Sequence, residues 1–189
     1  ATASVMEIDG AGFSCADVGA PKTLEYRRFL EVDGATTSFW HDVPLYASRP
    51  AGAAPTFNVV IEITRQTTAK MEMATTEAHA PIKQDTKKGK LRDYAVPIEW
   101  NYGAMPRTWE QPAHAWAGLE HLASKGDNDP LDVVDLSTIA QPCGAVVEVK
   151  LVAVLAMIDE GEVDWKVVVI NTADPKAALV NSLADAEAH

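Results

Sequence analysis

Six short runs rich in Val and Ile, each closed by turn residues, restrict this chain to a fold made mainly of β-strands. They are Phe57 to Ile63, Lys70 to Ala74, Lys90 to Tyr94, Leu131 to Leu136, Val146 to Met157 and Trp165 to Ile170. In Val147-Glu148-Val149-Lys150-Leu151 apolar and charged side chains alternate, the period of a strand with one wet face. So many strands in a small domain predict a closed or nearly closed barrel, because closure removes unpaired edges. After Asp174-Pro175, the stretch Lys176 to Glu187 holds Ala, Leu and Glu with a Pro near its start, and is expected to be a helix. Upstream, Gly10, Gly12, Gly19 and Pro21 mark residues 1 to 23 as an extended arm. Thr23 to Asp42 reads as an edge hairpin turning at Asp33-Gly34, and Pro44 to Pro55 as a linker. The chain thus divides into residues 1–56 (arm, hairpin and linker) and 57–189 (barrel domain).

With 189 residues, 47% hydrophobic and 23% charged, the chain can bury one real core. Its longest apolar stretch, Val149 to Ile158, is interrupted by Lys150, so nothing approaches the ~20 apolar residues of a membrane-spanning helix. A formal charge of −11 disfavours nucleic acid and anionic membranes as partners, and makes bridging cations necessary for an anionic substrate. Cys15 and Cys143 stand too far apart in sequence for a disulfide framework or a zinc spacing, which suits a reducing compartment. Ala1-Thr2-Ala3-Ser4 lacks the apolar core of a secretion signal, consistent with no targeting or with targeting already removed.

The chemistry concentrates in acidic segments. Gly126-Asp127-Asn128-Asp129-Pro130-Leu131-Asp132 packs three carboxylates into the mouth of a strand, where each raises its neighbours' affinity for protons or cations. Oxygen-only ligands at this spacing select hard ions such as Mg²⁺, Mn²⁺ or Ca²⁺; the alternative is an Asp-rich turn in water. Asp159, Asp164 and Lys166 lie about a turn between two strands, with Asp164 and Lys166 on one face, suited to holding phosphate beside a metal or, equally, to a solvated hairpin. Asn58 and Glu62 share a face of an otherwise apolar strand, and Lys70 and Glu72 share one of the next. From Gln84 to Arg92 the chain gathers four cations. Lys87, Lys88 and Lys90 suit a solvated turn as well as a site, whereas Arg92 falls within a strand, where its planar fork suits phosphate. Tyr102 is placed next to a backbone turn, ready to donate to phosphate or to pack in a core.

Taken together these strings resemble the soluble family I inorganic pyrophosphatases, whose signature Asp-x-Asp-Pro-x-Asp is met by Asp127-Asn128-Asp129-Pro130-Leu131-Asp132. The resemblance runs from about Phe57 to Asp185 and includes Thr108-Trp109-Glu110 and Asn101-Tyr102-Gly103. Ile98-Glu99-Trp100-Asn101-Tyr102-Gly103 and Pro175-Lys176-Ala177 are most similar to the plastid branch, which implies a plastid stroma location, with cytoplasm or mitochondrion as alternatives. The resemblance implies an OB-like β-barrel with flanking α-helices that hydrolyses Mg-pyrophosphate to two phosphates, using several Mg²⁺ ions with Mn²⁺ as a possible substitute. Asp127, Asp132 and Asp164 would hold the first metal, Asp132 bridging toward the second, and Asp159 would hold one brought in with substrate. Asp129 would be the base acting on the attacking water, and Glu62 and Glu72 would order metal-held waters. Lys70, Arg92, Tyr102 and Lys166 would bind phosphate oxygens.

Two departures from the family accompany the likeness. Ile98 stands where eukaryotic-type members often carry a tyrosine, as it does in plastid-like sequences. The family chain also continues past the region matching Asp185 to His189 into a helix bearing a phosphate-gripping Tyr-Lys pair; this chain is expected to stop short of it, exposing apolar surface and weakening product binding. Besides a working hydrolase, a catalytically impaired structural subunit of a larger assembly is therefore an expectation of a different class. The family's habits imply a homodimer or a monomer.

Overall fold

The computed structural model describes residues 12–114, 116–118, 125–159 and 161–189; residues 1–11 of the N-terminal arm and Glu160 lie outside the described residues. Three strands come first: β1 (Phe13–Val18), β2 (Arg27–Val32) and β3 (Ala35–Thr37). The tight link between β2 and β3 is the expected one, with Asp33 (φ 51°) and Gly34 (φ 78°) both in the left-handed region. The arm contributes more than expected, because β1 pairs along its whole length with β2. This places β2 inside a sheet of order β1-β2-β7-β6, where β7 is Ile82–Gln84 and β6 is Met71–Met73. Only β3 of the hairpin lies at a margin.

The second sheet positions the site. Strand β5 (Thr56–Ile63) pairs antiparallel with β10 (Asn101–Ala104), and β10 with β11 (Asp132–Asp135). Strand β11 runs parallel to β13 (Glu162–Asn171), which forms a long hairpin with β12 (Val146–Asp159) about Gly161. Strand β12 then returns to β5, so the pairings of five strands close on themselves. A short β4 (Tyr46–Ser48), inside the expected linker, adds to the free end of β5.

The continuous apolar run of β5 has a direct cause: the strand is buried on both faces. Val59 and Ile61 join Val133, Val149, Val167 and Val169 in one cluster, while Val60 packs with Leu30, Phe39, Met73 and Ile82 of the neighbouring sheet in another. Glu62 is the one acid in this run, and its 5% exposure marks it as exceptional.

Three sequence expectations need correction. Arg92 lies just past β9 (Lys90–Leu91), which pairs only with β8 (Thr86–Lys87) in a minor hairpin, because the backbone of Arg92 bonds Asp85 and Lys70 instead of a strand. Tyr102 is on strand β10 and not beside a turn. Of the expected helix Lys176 to Glu187, only α1 (Leu183–Ala188) forms. The Asp174 carboxylate accepts the amides of Lys176 and Thr138, holding the first part in separate turns, and Ser182 caps the helix that follows. Among the described residues α1 is the one α-helix.

Closure of the ring depends on Gly103. A Cβ there would lie 2.0 Å from the carbonyl oxygen of Val60, a backbone atom on the very strand that β10 must join. Gly103→Ala is therefore expected to destabilise the chain by about 3 kcal/mol or more, the upper range for overpacking, read as a lower urea midpoint at unchanged slope; an unshifted midpoint would show that β10 and β5 do not approach this closely.

Candidate metal and phosphate site

One cavity of ≈ 400 Å³ opens at the mouth of the ring, and all eleven side chains expected to form a site line it. Asp127 and Asp129 come from the β10–β11 connection, Asp132 from the start of β11, Asp159 from the end of β12, and Asp164 and Lys166 from β13. Glu62 and Tyr102 rise from β5 and β10, while Lys70, Glu72 and Arg92 arrive from the first sheet and its connections.

The acidic wall is shaped by backbone pairing. The amide of Glu110 donates to the carbonyl of Asp129, and that of Asn128 to the carbonyl of Glu110, both at 2.9 Å, so the Thr108–Glu110 segment templates the aspartate loop. The two backbones are so close that a Cβ on Gly126 would fall 2.3 Å from the Glu110 carbonyl oxygen. Asn128 takes a positive φ of 77°, and the amide of Asp129 donates to the Asp127 carboxylate at 2.9 Å. Thr75, which carried no sequence signal, donates its hydroxyl to Asp129 at 3.1 Å. Asp132 opens β11 directly opposite Lys166 in the parallel register, and the Lys166 ammonium bonds both Asp132 and Asp164.

The cationic wall is held by acids in turn. Lys70 donates to Glu72 at 2.9 Å, and Asp85 accepts from Lys70 at 3.2 Å and from Arg92 at 2.9 Å, so one carboxylate spaces two phosphate-sized donors. Asp85 was within the string read as cationic, yet its role is visible only in three dimensions. Lys87, Lys88 and Lys90 do not line the cavity; they belong to the exposed β8–β9 hairpin, the solvated-turn alternative. Asn58 is also elsewhere, its amide donating to the Pro44 carbonyl.

Crowding raises the proton affinity of this wall. Burial, with the Asp132 charge next, pushes Glu62 well above the usual carboxylate range, even though its carboxylate accepts the Met73 amide. Burial and then Asp127 push Glu110 up to about 8, and burial holds Asp132 at about 6 against the pull of Lys166. Burial and then Asp132 drive Tyr102 upward, so its phenol is a donor at all ordinary pH. Glu110, quoted in the sequence only as part of a matching string, is the residue that sequence reasoning under-read. One carboxylate oxygen from each of Glu110, Asp127 and Asp164 lies within 4.8 Å of the others, an arrangement and donor chemistry that fit a hard divalent cation.

These shifts set an unusual acid response. A carboxyl whose folded pKa is raised binds its proton more tightly folded than unfolded, so its contribution is fully present below about pH 4 and is lost as pH rises through the folded value. Asp17, Glu77 and Asp85 are shifted the other way; Arg28 and Arg27 lead for the first two, and in Asp85 burial, the largest single effect, is outweighed by Arg92, Lys70 and the Thr86 amide together. Their stabilisation is lost only on going to pH 4 and below. With divalent ions chelated, the thermal midpoint is expected to rise by several degrees from pH 8.5 to 5.5 before falling in stronger acid. A steady fall over the first interval, measured by circular dichroism, would show that Glu110, Asp132 and Glu62 are not crowded in this way.

Comparison with known proteins agrees with this geometry. The inorganic pyrophosphatase family model matches residues 59–189. The chain is 49% identical over 177 residues to soluble inorganic pyrophosphatase 1, chloroplastic, of Chlamydomonas reinhardtii, covering 94% of this chain and 60% of the relative. It is 46% identical to the inorganic pyrophosphatase of Mus musculus, covering 94% and 61% respectively. Among solved structures, the type I inorganic pyrophosphatase of Toxoplasma gondii superposes with a TM-score of 0.86 at 43% identity, over 93% of this chain and 76% of that one. The chain thus spans about 60% of the length of these curated relatives. A match over most of the chain, joined to a cavity lined by the aspartate signature and its cationic partners, establishes that the chain belongs to the soluble family I inorganic pyrophosphatases of eukaryotic type.

Proposed function

We propose that this chain hydrolyses inorganic pyrophosphate to two phosphates. The observation that carries the reading is the meeting of five aspartates with Lys70, Arg92 and Lys166 around one cavity. Asp127, Asp132 and Asp164 would hold one cation, with Asp132 reaching toward a second, and Asp159 would hold an ion that enters with substrate. Such ions, Mg²⁺ first and Mn²⁺ as a substitute, would lower the pKa of water and neutralise charge on both phosphates. Glu62 and Glu72 order the surrounding waters. Asp129, oriented by Thr75, accepts the proton of the attacking water. The water oxygen bonds one phosphorus as the bond to the bridging oxygen breaks, and the bridging electron pair leaves with the second phosphate. Lys70, Arg92, Lys166 and the Tyr102 phenol hold the phosphoryl oxygens over which charge spreads.

The five-strand ring is, in this reading, the OB-like barrel of the family, spanning residues 57–189, with residues 1–56 forming the arm, hairpin and linker. Two chloroplastic relatives at 49% identity support a place in the plastid stroma; fractionation that recovers the chain outside plastids would reject this. The assembly is a homodimer or a monomer, which light scattering separates.

The decisive assay is phosphate release from Mg-pyrophosphate by the 189-residue chain beside Asp129→Ala. The variant is expected to lose about 10³-fold in turnover, within the range for removal of a general base, and chelation of the metal should abolish activity in both. Unchanged turnover in the variant would remove Asp129 from its role, and no turnover from a folded, Mg²⁺-binding chain would remove the function.

A further inference from the structure

Glu110 is 1% exposed, and its two carboxylate oxygens have different fates. One accepts the backbone amide of Trp165 at 3.0 Å, between Asp164 and Lys166 on β13. The other, Oε2, is buried and has no hydrogen-bond partner among the described residues. A buried carboxylate oxygen left without a donor carries an uncompensated desolvation cost, so a partner that the described residues do not supply is implied. The carboxylate does not stand alone, since it lies within 4.8 Å of ligand atoms of Asp127 and Asp164. Around an octahedral hard cation, oxygens at about 2.1 Å from the ion are about 3 Å apart when adjacent and about 4 Å apart when opposite. The observed spread therefore needs to contract by only about an ångström.

We propose that Glu110 is a further cation ligand, its free carboxylate oxygen joining Asp127 and Asp164 around one divalent ion. This rests on the pyrophosphatase reading above and adds to it an acid outside the aspartate signature. The assignment is physically economical, because the segment carrying Glu110 is already bonded to the aspartate loop through the Asp129 and Asn128 backbones, so the ligand and the loop are placed together. It also gives Gly126 a function: any side chain there would collide with Glu110 and force the two apart.

Glu110→Gln separates this role from a structural one. Glutamine retains an oxygen for the Trp165 amide and nearly the same volume while removing the charge. With Mn²⁺ as the probe, followed by the electron paramagnetic resonance signal of the free ion, the variant is expected to bind at the tightest site at least tenfold more weakly. Its ion-free melting temperature should be unchanged or higher, because one of several crowded carboxylates has been removed. Mn²⁺ affinity within twofold of the parent, or a drop in ion-free stability with affinity intact, would make Glu110 only an acceptor for Trp165 and overturn the proposal, leaving the hydrolytic function standing. Glu110→Asp keeps the charge but withdraws it by one methylene and is expected to bind Mn²⁺ with intermediate affinity; parental affinity in that variant would also overturn the assignment. A parent chain that binds no Mn²⁺ and releases no phosphate would overturn both.

Discussion

Repulsion among like charges is the condition to which the rest of this molecule is fitted. Asp127, Asp129, Asp132, Asp159 and Asp164 stand about a single cavity, with Glu62 at its floor and Glu110 buried close behind. Left to themselves such groups would separate or take up protons. They are kept together by backbone that has no freedom to yield. The aspartate loop is bonded to the Glu110 segment, Asp132 is set by the parallel pairing of β11 with β13, and Asp164 and Lys166 are fixed two residues apart on that same strand. The Lys166 ammonium between Asp132 and Asp164 offsets part of the repulsion, and a divalent cation would offset more.

The closed ring makes this arrangement possible. A set of catalytic groups placed on paired strands is positioned more firmly than one carried on free loops, because a displacement of one strand must break hydrogen bonds on both sides. Strand β5 is the member whose burial on both faces anchors the ring, and the same strand delivers Glu62 to the cavity floor. The single approach that permits closure, Gly103 against Val60, is only one residue from Tyr102, so the constraint that completes the ring also aims the phenol. Stability and site geometry are therefore coupled through β10.

Much of the site was legible in the linear chain because its chemistry is written in short strings. Asp127 to Asp132 lies within six positions, Lys70 and Glu72 alternate on one strand, and Asp164 and Lys166 repeat that spacing, so local period alone predicts shared faces. The edges of the fold were less legible. Strands β1, β4, β7 and β10 are short or mixed in polarity, and each is held by pairing in place of its own propensity, β7 and β10 with partners remote in sequence. The helix expected from Lys176 was shortened by the Asp174 carboxylate, a side chain whose other partner, Thr138, is remote in sequence. Arg92 left its expected strand for the same kind of reason, drawn to the backbone of Asp85 and Lys70.

By itself, the sequence determined that the chain would be mainly β, that it would present clustered carboxylates opposite a few cations, and that hard divalent ions and an anionic phosphate were the partners such a composition could serve. These conclusions follow from side-chain chemistry and from the period of a strand, both of which are local. Only the tertiary structure decided that all eleven expected residues line one cavity, that Asp85 spaces Lys70 and Arg92, and that Glu110, one of its buried oxygens without a partner among the described residues, stands beside Asp127 and Asp164. The physical reason is that a buried group's meaning lies in what surrounds it. The neighbours of Glu110 are set by the closing of a ring, which no spacing along the chain records.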